Sequence, residues 1–329
     1  MKKTLLASAI LAGLVSVSAQ AATVYDQDGI TLKISGDVDA TVYSDDSVDG
    51  SLGNANYASI NLFGTTKVSD SVTAYAEFEI DTGGNSVSFT DTDTDVTSGT
   101  NISNTTTSKS SEFSLDELVV GLDTTYGDFS FGGVDSALGQ VSDFTDIGNE
   151  LGGIQEVLEG GGASGFAYAN TFAGISLNAE FIASEDKDAD SMGISAVYSL
   201  EGLSLGLGYV AVDEENQLLV AAGYAVANLY VGVSYGIGEV LSYGDSTYGQ
   251  LSDLTTLEFS AAYQVTGDVS VVALLGQAEV EDADVKDYYA LEVGYSLADN
   301  VLTTVGYSAD NLDNADPDNS IYAQISYDF

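Results

Sequence analysis

The amino-acid sequence predicts an all-β protein: a 16-stranded antiparallel transmembrane β-barrel. Three observations lead to this prediction. Apolar and polar residues alternate with a period of two over segments longer than an ordinary globular strand. Tight turns and long acidic stretches alternate between these segments, and tyrosines collect at the tight-turn ends. Sixteen such segments can be counted, and bacterial barrels have an even number of strands.

The N-terminal 21 residues have the three parts of a secretory signal peptide. Residues 1–3 include two lysines, residues 5–17 form a short apolar run, and residues 19–21 (Ala-Gln-Ala) are a small-x-small cleavage site. The apolar run is too short for a transmembrane helix and has the wrong flanks. We therefore expect residues 1–21 to be removed on export and residues 22–329 to form the barrel.

The composition is strongly acidic. The chain has 51 acidic and 7 basic residues, a formal net charge of −44, and neither histidine nor cysteine. All the bases are lysines, and clustered Lys and Arg are needed to bind phosphates, so no nucleic-acid partner is expected. Without histidine, Ser-His and Cys-His catalysis is excluded, and we expect no enzyme, no cofactor and no metal site. A hydrophobic content of 44% argues against a disordered acidic chain.

The alternation begins at Ile30. There one face carries Ile30, Leu32 and Ile34, and the other carries Thr31 and Lys33. The predicted strands cover residues 30–44, 56–68, 72–82, 114–124, 128–134, 165–172, 175–184, 191–200, 202–212, 217–226, 228–238, 253–265, 268–279, 287–297, 300–308 and 319–329. This count leaves about 19 residues for each strand with its connection, which fits the ~10 residues needed to cross a bilayer. A barrel of this size can enclose an aqueous lumen.

An apolar-x-Tyr-x-apolar motif recurs at the tight-turn ends of the later strands. A soluble β-sandwich gives no reason for tyrosines to collect at one end, whereas a membrane barrel has an aromatic girdle at each interface. We expect the membrane girdle to contain Tyr198, Tyr224, Tyr263, Tyr295, Tyr327 and the C-terminal Phe329.

The alternation stops at residues 137–162, between the fifth and sixth predicted strands. Loops of this length inside a compact β protein are usually functional or disordered. The pattern predicts a long loop with a helical turn at residues 143–151. The loop contains no base and five carboxylates: Asp143, Asp146, Glu150, Glu156 and Glu159.

Two stretches carry a family resemblance. Residues 321–329 are apolar at every second position back from a terminal Phe, and they resemble the closing strand of a Gram-negative general porin. Residues 126–132 (YGDFSFG), followed by 137–139 and 142–146, resemble the porins of Vibrio-like marine bacteria. The resemblance implies a homotrimeric outer-membrane channel for passive diffusion of ions and small hydrophilic solutes. It also implies that the third loop, residues 137–162, folds inward and forms the constriction of the pore. It also implies that the barrel-assembly machinery reads the strand ending at Phe329.

The sequence departs from the family pattern on the barrel wall. In such porins the acidic loop faces basic wall residues, and the corresponding positions here are Asp37, Ser59, Asp116 and Gly133. The chain has no arginine that could supply the usual basic ladder. Lys33 faces the lumen by parity, but it is expected near the periplasmic mouth.

The resulting prediction is an almost wholly negative constriction. We expect the five loop carboxylates to line it together with Asp37 and Asp116. Further lumen-facing residues, assigned by strand parity, are Lys33, Asp39, Ser59, Glu77, Glu79, Glu180, Glu258 and Glu292. Rings of acidic side chains favour cations, and a charge acts over about 8 Å at physiological salt, so selectivity should arise at the narrowest section. The sequence therefore predicts a water-filled, cation-preferring channel.

Two other functions are to be separated from this one. A substrate-specific saccharide channel would need a run of lumen-facing aromatic residues, and parity gives scattered candidates such as Tyr75. A secreted calcium-dependent adhesin would carry a Gly-Gly-x-Gly-x-Asp repeat, which is absent. The acidic stretches 91–95 and 185–190 lack the glycine and the bidentate glutamate of an EF-hand, so we interpret them as solvated loops. One hypothesis is that they bridge to lipopolysaccharide through divalent cations.

Overall fold

The computed structural model describes residues 21–45, 52–82, 113–155, 158, 162–183, 190–241, 251–281, 283–310 and 318–329. Most of them lie in strands. The strands are β1 (Ala22–Gln27), β2 (Ile30–Asp45), β3 (Gly53–Ser69), β4 (Val72–Thr82), β5 (Phe113–Thr124), β6 (Gly127–Val134), β7 (Gly162–Phe172), β8 (Ile175–Ile182), β9 (Ser191–Leu200), β10 (Leu203–Val212), β11 (Glu215–Val226), β12 (Leu229–Val240), β13 (Ser252–Gln264), β14 (Val269–Val280), β15 (Ala283–Ala298), β16 (Val301–Asp310) and β17 (Asp318–Asp328). One short helix, α1, spans Gly139–Ser142. No helix in the described residues is long and apolar enough to cross a membrane.

The strands form a closed antiparallel barrel. Each strand from β2 to β17 pairs with its neighbours in sequence, and β17 pairs with β2 to complete a ring of 16. At the closing seam, Phe329 and Gly36 exchange two backbone hydrogen bonds of 2.9 and 3.0 Å. The predicted fold class and strand number are therefore confirmed for the barrel itself.

Strand β1 is absent from the prediction. It forms a hairpin with the first part of β2 through the turn Asp28-Gly29, whose φ angles of 56° and 76° lie in the left-handed region. Asp-Gly is a strong sequence signal for such a turn. β1 runs along residues 30–34 of β2, just beyond the part of β2 that pairs with β17. The ring therefore keeps 16 positions although the chain has an additional strand.

The predicted strand boundaries agree with the structure to within a few residues. The largest differences are at the starts of β3, β7 and β15, which begin at Gly53, Gly162 and Ala283. The starts of β7 and β15 follow connections that the sequence predicts to be long and acidic. There the strand begins several residues before the continuous apolar row, where small and polar residues predominate and the alternation is weak. For the same reason the connection before β15 is only two residues long instead of an extended acidic loop.

The barrel wall has two different faces. In β15 the side chains of Leu291, Val293 and Tyr295 are between 42 and 48% exposed, whereas Ala290 and Glu292, which alternate with them along the strand, are buried. We call these the exposed apolar face and the opposite face. All the residues predicted for the girdle lie on the exposed apolar face. Their contact with a membrane interface stays a prediction.

Candidate pore constriction

The chain after β6 packs against the opposite face of the wall. We call residues 137–155 together with Leu158 the docked segment. Its apolar side chains enter two clusters with side chains of β10 to β15. They are Leu138, Val141, Phe144, Ile147, Leu151, Ile154 and Leu158. Their spacing of three or four residues is visible in the sequence, but an analysis of period-2 alternation misses it.

The helical turn predicted at residues 143–151 is present only at its start. The amide of Asp146 donates to the carbonyl oxygen of Ser142 at 3.0 Å, but residues 149–151 are not helical. Helix α1 ends at Ser142, and the backbone amides of residues 149–151 donate to Glu292 on β15 instead of to helix carbonyls. Gly152 and Gly153 follow with φ angles of 122° and 77°, which a helix cannot contain. The segment is mostly irregular because its backbone groups bind the wall.

Glu292 makes the densest set of polar contacts with the docked segment. Its Oε2 accepts a hydrogen bond from the amide of Asn149 at 2.6 Å, and its Oε1 accepts from the amides of Glu150 and Leu151 at 3.1 Å each. The Tyr322 hydroxyl on β17 also donates to Oε1, at 2.7 Å. A hydrogen bond to a charged group contributes about 1.5–3 kcal/mol. One carboxylate therefore fixes three consecutive peptide groups.

Hydroxyl groups hold the middle of the docked segment. The carbonyl oxygen of Phe144 accepts hydrogen bonds from the Tyr230 hydroxyl at 2.8 Å and from the Ser260 hydroxyl at 3.0 Å. The hydroxyl oxygens of Thr145 and Ser234 lie 2.7 Å apart. All of these groups are buried, so each contact replaces a hydrogen bond to water.

The predicted role of three wall glutamates needs correction. Glu180, Glu258 and Glu292 lie on the predicted face, but they are only 5, 0 and 2% exposed because the docked segment covers them. Glu180 accepts a hydrogen bond from the amide of Ala137 at 2.8 Å, and Glu258 accepts one from the Tyr288 hydroxyl. Strand parity gives the face of a residue but not what packs on it. These glutamates anchor the segment instead of lining open space.

A second part of the opposite face is acidic and open. Its carboxylates, which we call the acidic wall, lie on β17, β2 and β4 and are Asp37, Asp39, Glu77, Glu79 and Asp328. On the intervening strand β3, Ser59 donates a hydrogen bond to Asp37. Asn61, also on β3, donates to Glu77 at 2.7 Å and to Glu79 at 3.2 Å. These bonds fix the negative side chains on the wall.

The acidic wall borders a cavity of about 660 Å³. Asn149 of the docked segment also lines this cavity. Among the described residues around it, Lys33 is the single base, and it lies near the tight-turn end of β2. The cavity is therefore strongly negative with little positive charge to balance it.

The carboxylates predicted for the constriction are not gathered at one place. Asp143 lines a separate cavity of about 300 Å³ beside the tight turns at Gly174 and Gly202. Glu150 lies close enough to Asp39 of the acidic wall for the two carboxylates to repel each other. Outside the described residues are Glu156, Glu159, the side chain of Asp116, the stretch 91–95 and residues 185–189. The remaining wall position, Gly133, lies in β6 and lines a third cavity.

Two carboxylates of the docked segment have raised pKa values. Partial burial raises the pKa of Glu150, and repulsion from Asp39 and Glu292 adds to it, although a hydrogen bond from Gln324 acts in the opposite direction. Partial burial also raises the pKa of Asp146, and Glu292 contributes repulsion. Both groups therefore begin to take up protons at a higher pH than a solvated carboxylate.

A closed antiparallel barrel of this size, with an exposed apolar outer band and a polar opposite face, has the architecture of an outer-membrane channel. Residues 7–316 match the Gram-negative porin family, so the chain belongs to that family.

Individual relatives agree with this assignment. The chain is 26% identical over 333 residues to outer membrane protein U of Vibrio parahaemolyticus, covering 96% of this chain and 92% of the relative. Its fold is similar to that of OmpF of Salmonella typhi, solved in complex with daunomycin, with a TM-score of 0.75 at 18% identity over 94% of this chain and 100% of the other. OmpT of Vibrio cholerae in its trimer form gives a TM-score of 0.67 at 15% identity over 92% and 100% of the two chains. The chain is thus an outer-membrane porin of a Gram-negative bacterium.

Gly232 on β12 provides a test of the packing of the docked segment. A Cβ atom at this position would overlap the carbonyl oxygen of Phe144. We expect Gly232→Ala to displace the segment and raise the single-channel conductance in a planar bilayer. The matched control is Gly64→Ala on β3, where a Cβ would meet nothing closer than 3.9 Å. Equal conductance in the two variants would show that the docked segment does not pack against Gly232 in the working channel.

Proposed function

We propose that the chain forms a water-filled channel that prefers cations and lets ions and small hydrophilic solutes diffuse passively. The observation that supports this proposal is the charge around the open cavity. The five carboxylates of the acidic wall line it, and Lys33 is the single base among its described lining residues. Fixed negative charge concentrates cations and excludes anions in a confined path. The effect reaches about 8 Å at physiological salt, so the charges beside the path decide the selectivity.

The docked segment belongs to this proposal as the constriction loop, residues 137–162, lying inside the barrel. Its contacts support that position. They extend from Glu180 on β8 to Gln324 on β17, and they involve the face that lies opposite the exposed apolar side chains. In this arrangement the segment covers the apolar part of the interior and leaves the acidic wall facing the path.

The direct test of the cation preference is the reversal potential of the wild-type channel across a bilayer with a KCl gradient. A potential with the sign for cation permeation is expected. A potential of zero or of the opposite sign would overturn the proposal. A saccharide-specific channel would instead show block of the current by added sugars. We expect no block. The candidate Tyr75 lines a cavity but donates its hydroxyl to Asp128 at 2.7 Å. Tyr230, Tyr288 and Tyr322 are buried and donate hydrogen bonds to the docked segment or to wall glutamates, so these four tyrosines do not form a row along which a sugar could bind.

The cation preference should weaken as the pH falls. Because the pKa values of Asp146 and Glu150 are raised, these groups lose their charge above the ordinary carboxylate value of about 4. The same shifts mean that burying these negative charges, with repulsion from neighbouring carboxylates added, destabilises the docked segment at neutral pH, and that protonation relieves this cost, so docking should tighten in acid. Reversal potentials measured from neutral to acidic pH test this. In the Glu150→Gln channel, the part of the change in reversal potential that occurs at the higher pH values should be missing. A wild-type reversal potential that does not vary with pH would contradict the prediction.

Export and assembly complete the proposal. Residues 1–21 act as a cleaved signal peptide, which N-terminal sequencing of the mature protein tests. The porin forms a homotrimer, supported by the trimer form of the structurally similar OmpT.

The barrel-assembly machinery reads the strand that ends at Phe329. The acidic loops bridge to lipopolysaccharide through divalent cations, and a melting temperature of the trimer that does not respond to calcium would argue against this bridge.

A further inference from the structure

Glycine–tyrosine pairs recur on the opposite face of the wall. Tyr288 on β15 pairs directly with Gly276 on β14, and Tyr322 on β17 pairs directly with Gly306 on β16. A Cβ atom on either glycine would overlap the Cε1 atom of the paired tyrosine ring. Each ring therefore occupies the space that a side chain on the neighbouring strand would fill.

A third pair is diagonal and includes the docked segment. A Cβ atom on Gly223 of β11 would lie 2.6 Å from the hydroxyl of Tyr230 on β12 and 3.1 Å from a ring carbon of Phe144. The Tyr230 hydroxyl donates to the carbonyl oxygen of Phe144 at 2.8 Å. Gly223 thus leaves room both for the tyrosine and for the segment that the tyrosine holds.

The other two tyrosines act on the glutamates beneath the docked segment. Tyr322 donates to Glu292 at 2.7 Å, and Tyr288 donates to Glu258. Both tyrosines are at most 7% exposed. A ring lying over a bare backbone has its direction fixed by the sheet, so its hydroxyl reaches a defined point.

We propose that these three glycine–tyrosine pairs position the docked segment and so set the width of the pore. The inference rests on the proposed function, in which that segment is the constriction. Each tyrosine is a positioning residue: it either holds the segment directly or orients the carboxylate that does.

Two further pairs have the same overlap but a different role, and they supply controls. Tyr43 packs against Gly53, and Tyr75 packs against Gly121. The Tyr75 hydroxyl donates to Asp128 on β6. Among the hydrogen bonds of the described residues, neither tyrosine reaches the docked segment.

The experiment uses a single reporter thiol. The chain has no cysteine, and Ser142 in the docked segment is 5% exposed, so Ser142→Cys introduces one buried thiol. Its rate of reaction with a charged, water-soluble thiol reagent measures how often the segment leaves the wall. Tyr322→Phe removes only the hydroxyl, and Gly306→Ala displaces the ring. Both should raise the labelling rate roughly tenfold, because Glu292 without its orienting donor holds the amides of residues 149–151 less firmly, and both should raise the conductance.

The controls are Tyr43→Phe and Gly53→Ala, which should change neither quantity. Heat-modifiable mobility on gels confirms that each barrel is folded, and if Gly306→Ala does not fold, Tyr322→Phe decides. Unchanged labelling in the test variants, or an equal rise in the controls, would overturn the inference. Rapid labelling of Ser142→Cys in the otherwise wild-type channel would overturn it together with the docked constriction. A reversal potential with the sign for anions, accompanied by the expected labelling, would overturn only the cation preference and would leave the inference confirmed.

Discussion

A channel in which Asp37, Asp39, Glu77 and Glu79 are all replaced by their amides should lose most of its cation preference. These four side chains border the open cavity, and Asn61 fixes two of them by hydrogen bonds. The amides keep the size and much of the hydrogen bonding of the carboxylates but remove the charge. The ratio of potassium to chloride permeability should therefore move toward the ratio of the mobilities of the two ions in free solution. The reversal potential in a KCl gradient measures this ratio.

The matched control removes the same number of charges elsewhere on the chain. Asp70, Glu201, Asp213 and Asp268 are exposed residues in or beside turns and do not line the cavity. Their replacement by amides should leave the reversal potential close to that of the wild type, because screening limits the reach of a charge to about 8 Å at physiological salt. An equal loss of selectivity in the control would show that total charge, and not the acidic wall, determines the preference.

Replacing Glu292 by alanine should release the docked segment. The substitution leaves three backbone amides, those of residues 149–151, without their acceptor, and it also removes the partner of the Tyr322 hydroxyl. A hydrogen bond to a charged acceptor contributes about 1.5–3 kcal/mol. Its loss should therefore lower the equilibrium constant for docking of the segment by at least roughly tenfold. Single-channel recordings should show a larger conductance with frequent fluctuations.

Glu292→Gln is the control for this prediction. The amide keeps one acceptor oxygen and the volume of the side chain, so its conductance should lie between those of the wild type and the alanine variant. If Glu292→Ala has the steady conductance of the wild type, the hydrogen bonds to residues 149–151 do not hold the segment.

The barrel could be predicted from the sequence because a wall between lipid and water imposes alternation on every strand. The prediction weakens where that constraint ends. Residues 53–55 and 283–286 continue β3 and β15 beyond the apolar row, and β1 is too short to establish a pattern. For β1 the signal is instead local, in the turn Asp28-Gly29.

The candidate site could be predicted only in part. Parity placed Glu77 and Glu292 on the same face of the wall, but it did not show that Glu77 borders open space while Glu292 is buried. That difference depends on contacts distant in sequence: Asn149 and Glu292 are 143 positions apart. The three- and four-residue spacing of apolar side chains from Leu138 to Leu158 indicates that the segment packs on something, but not on which strands.

The position of the docked segment is the central claim, and a disulfide tests it most directly. The hydroxyl oxygens of Thr145 and Ser234 are 2.7 Å apart, and the chain has no cysteine of its own. Thr145→Cys combined with Ser234→Cys should therefore form one disulfide in the folded porin, detected by a shift in the mobility of the unfolded chain. The oxidised channel should keep the conductance of the reduced one. Failure of the two thiols to join, or a conductance that changes sharply when they do, would show that the segment lies elsewhere in the working channel.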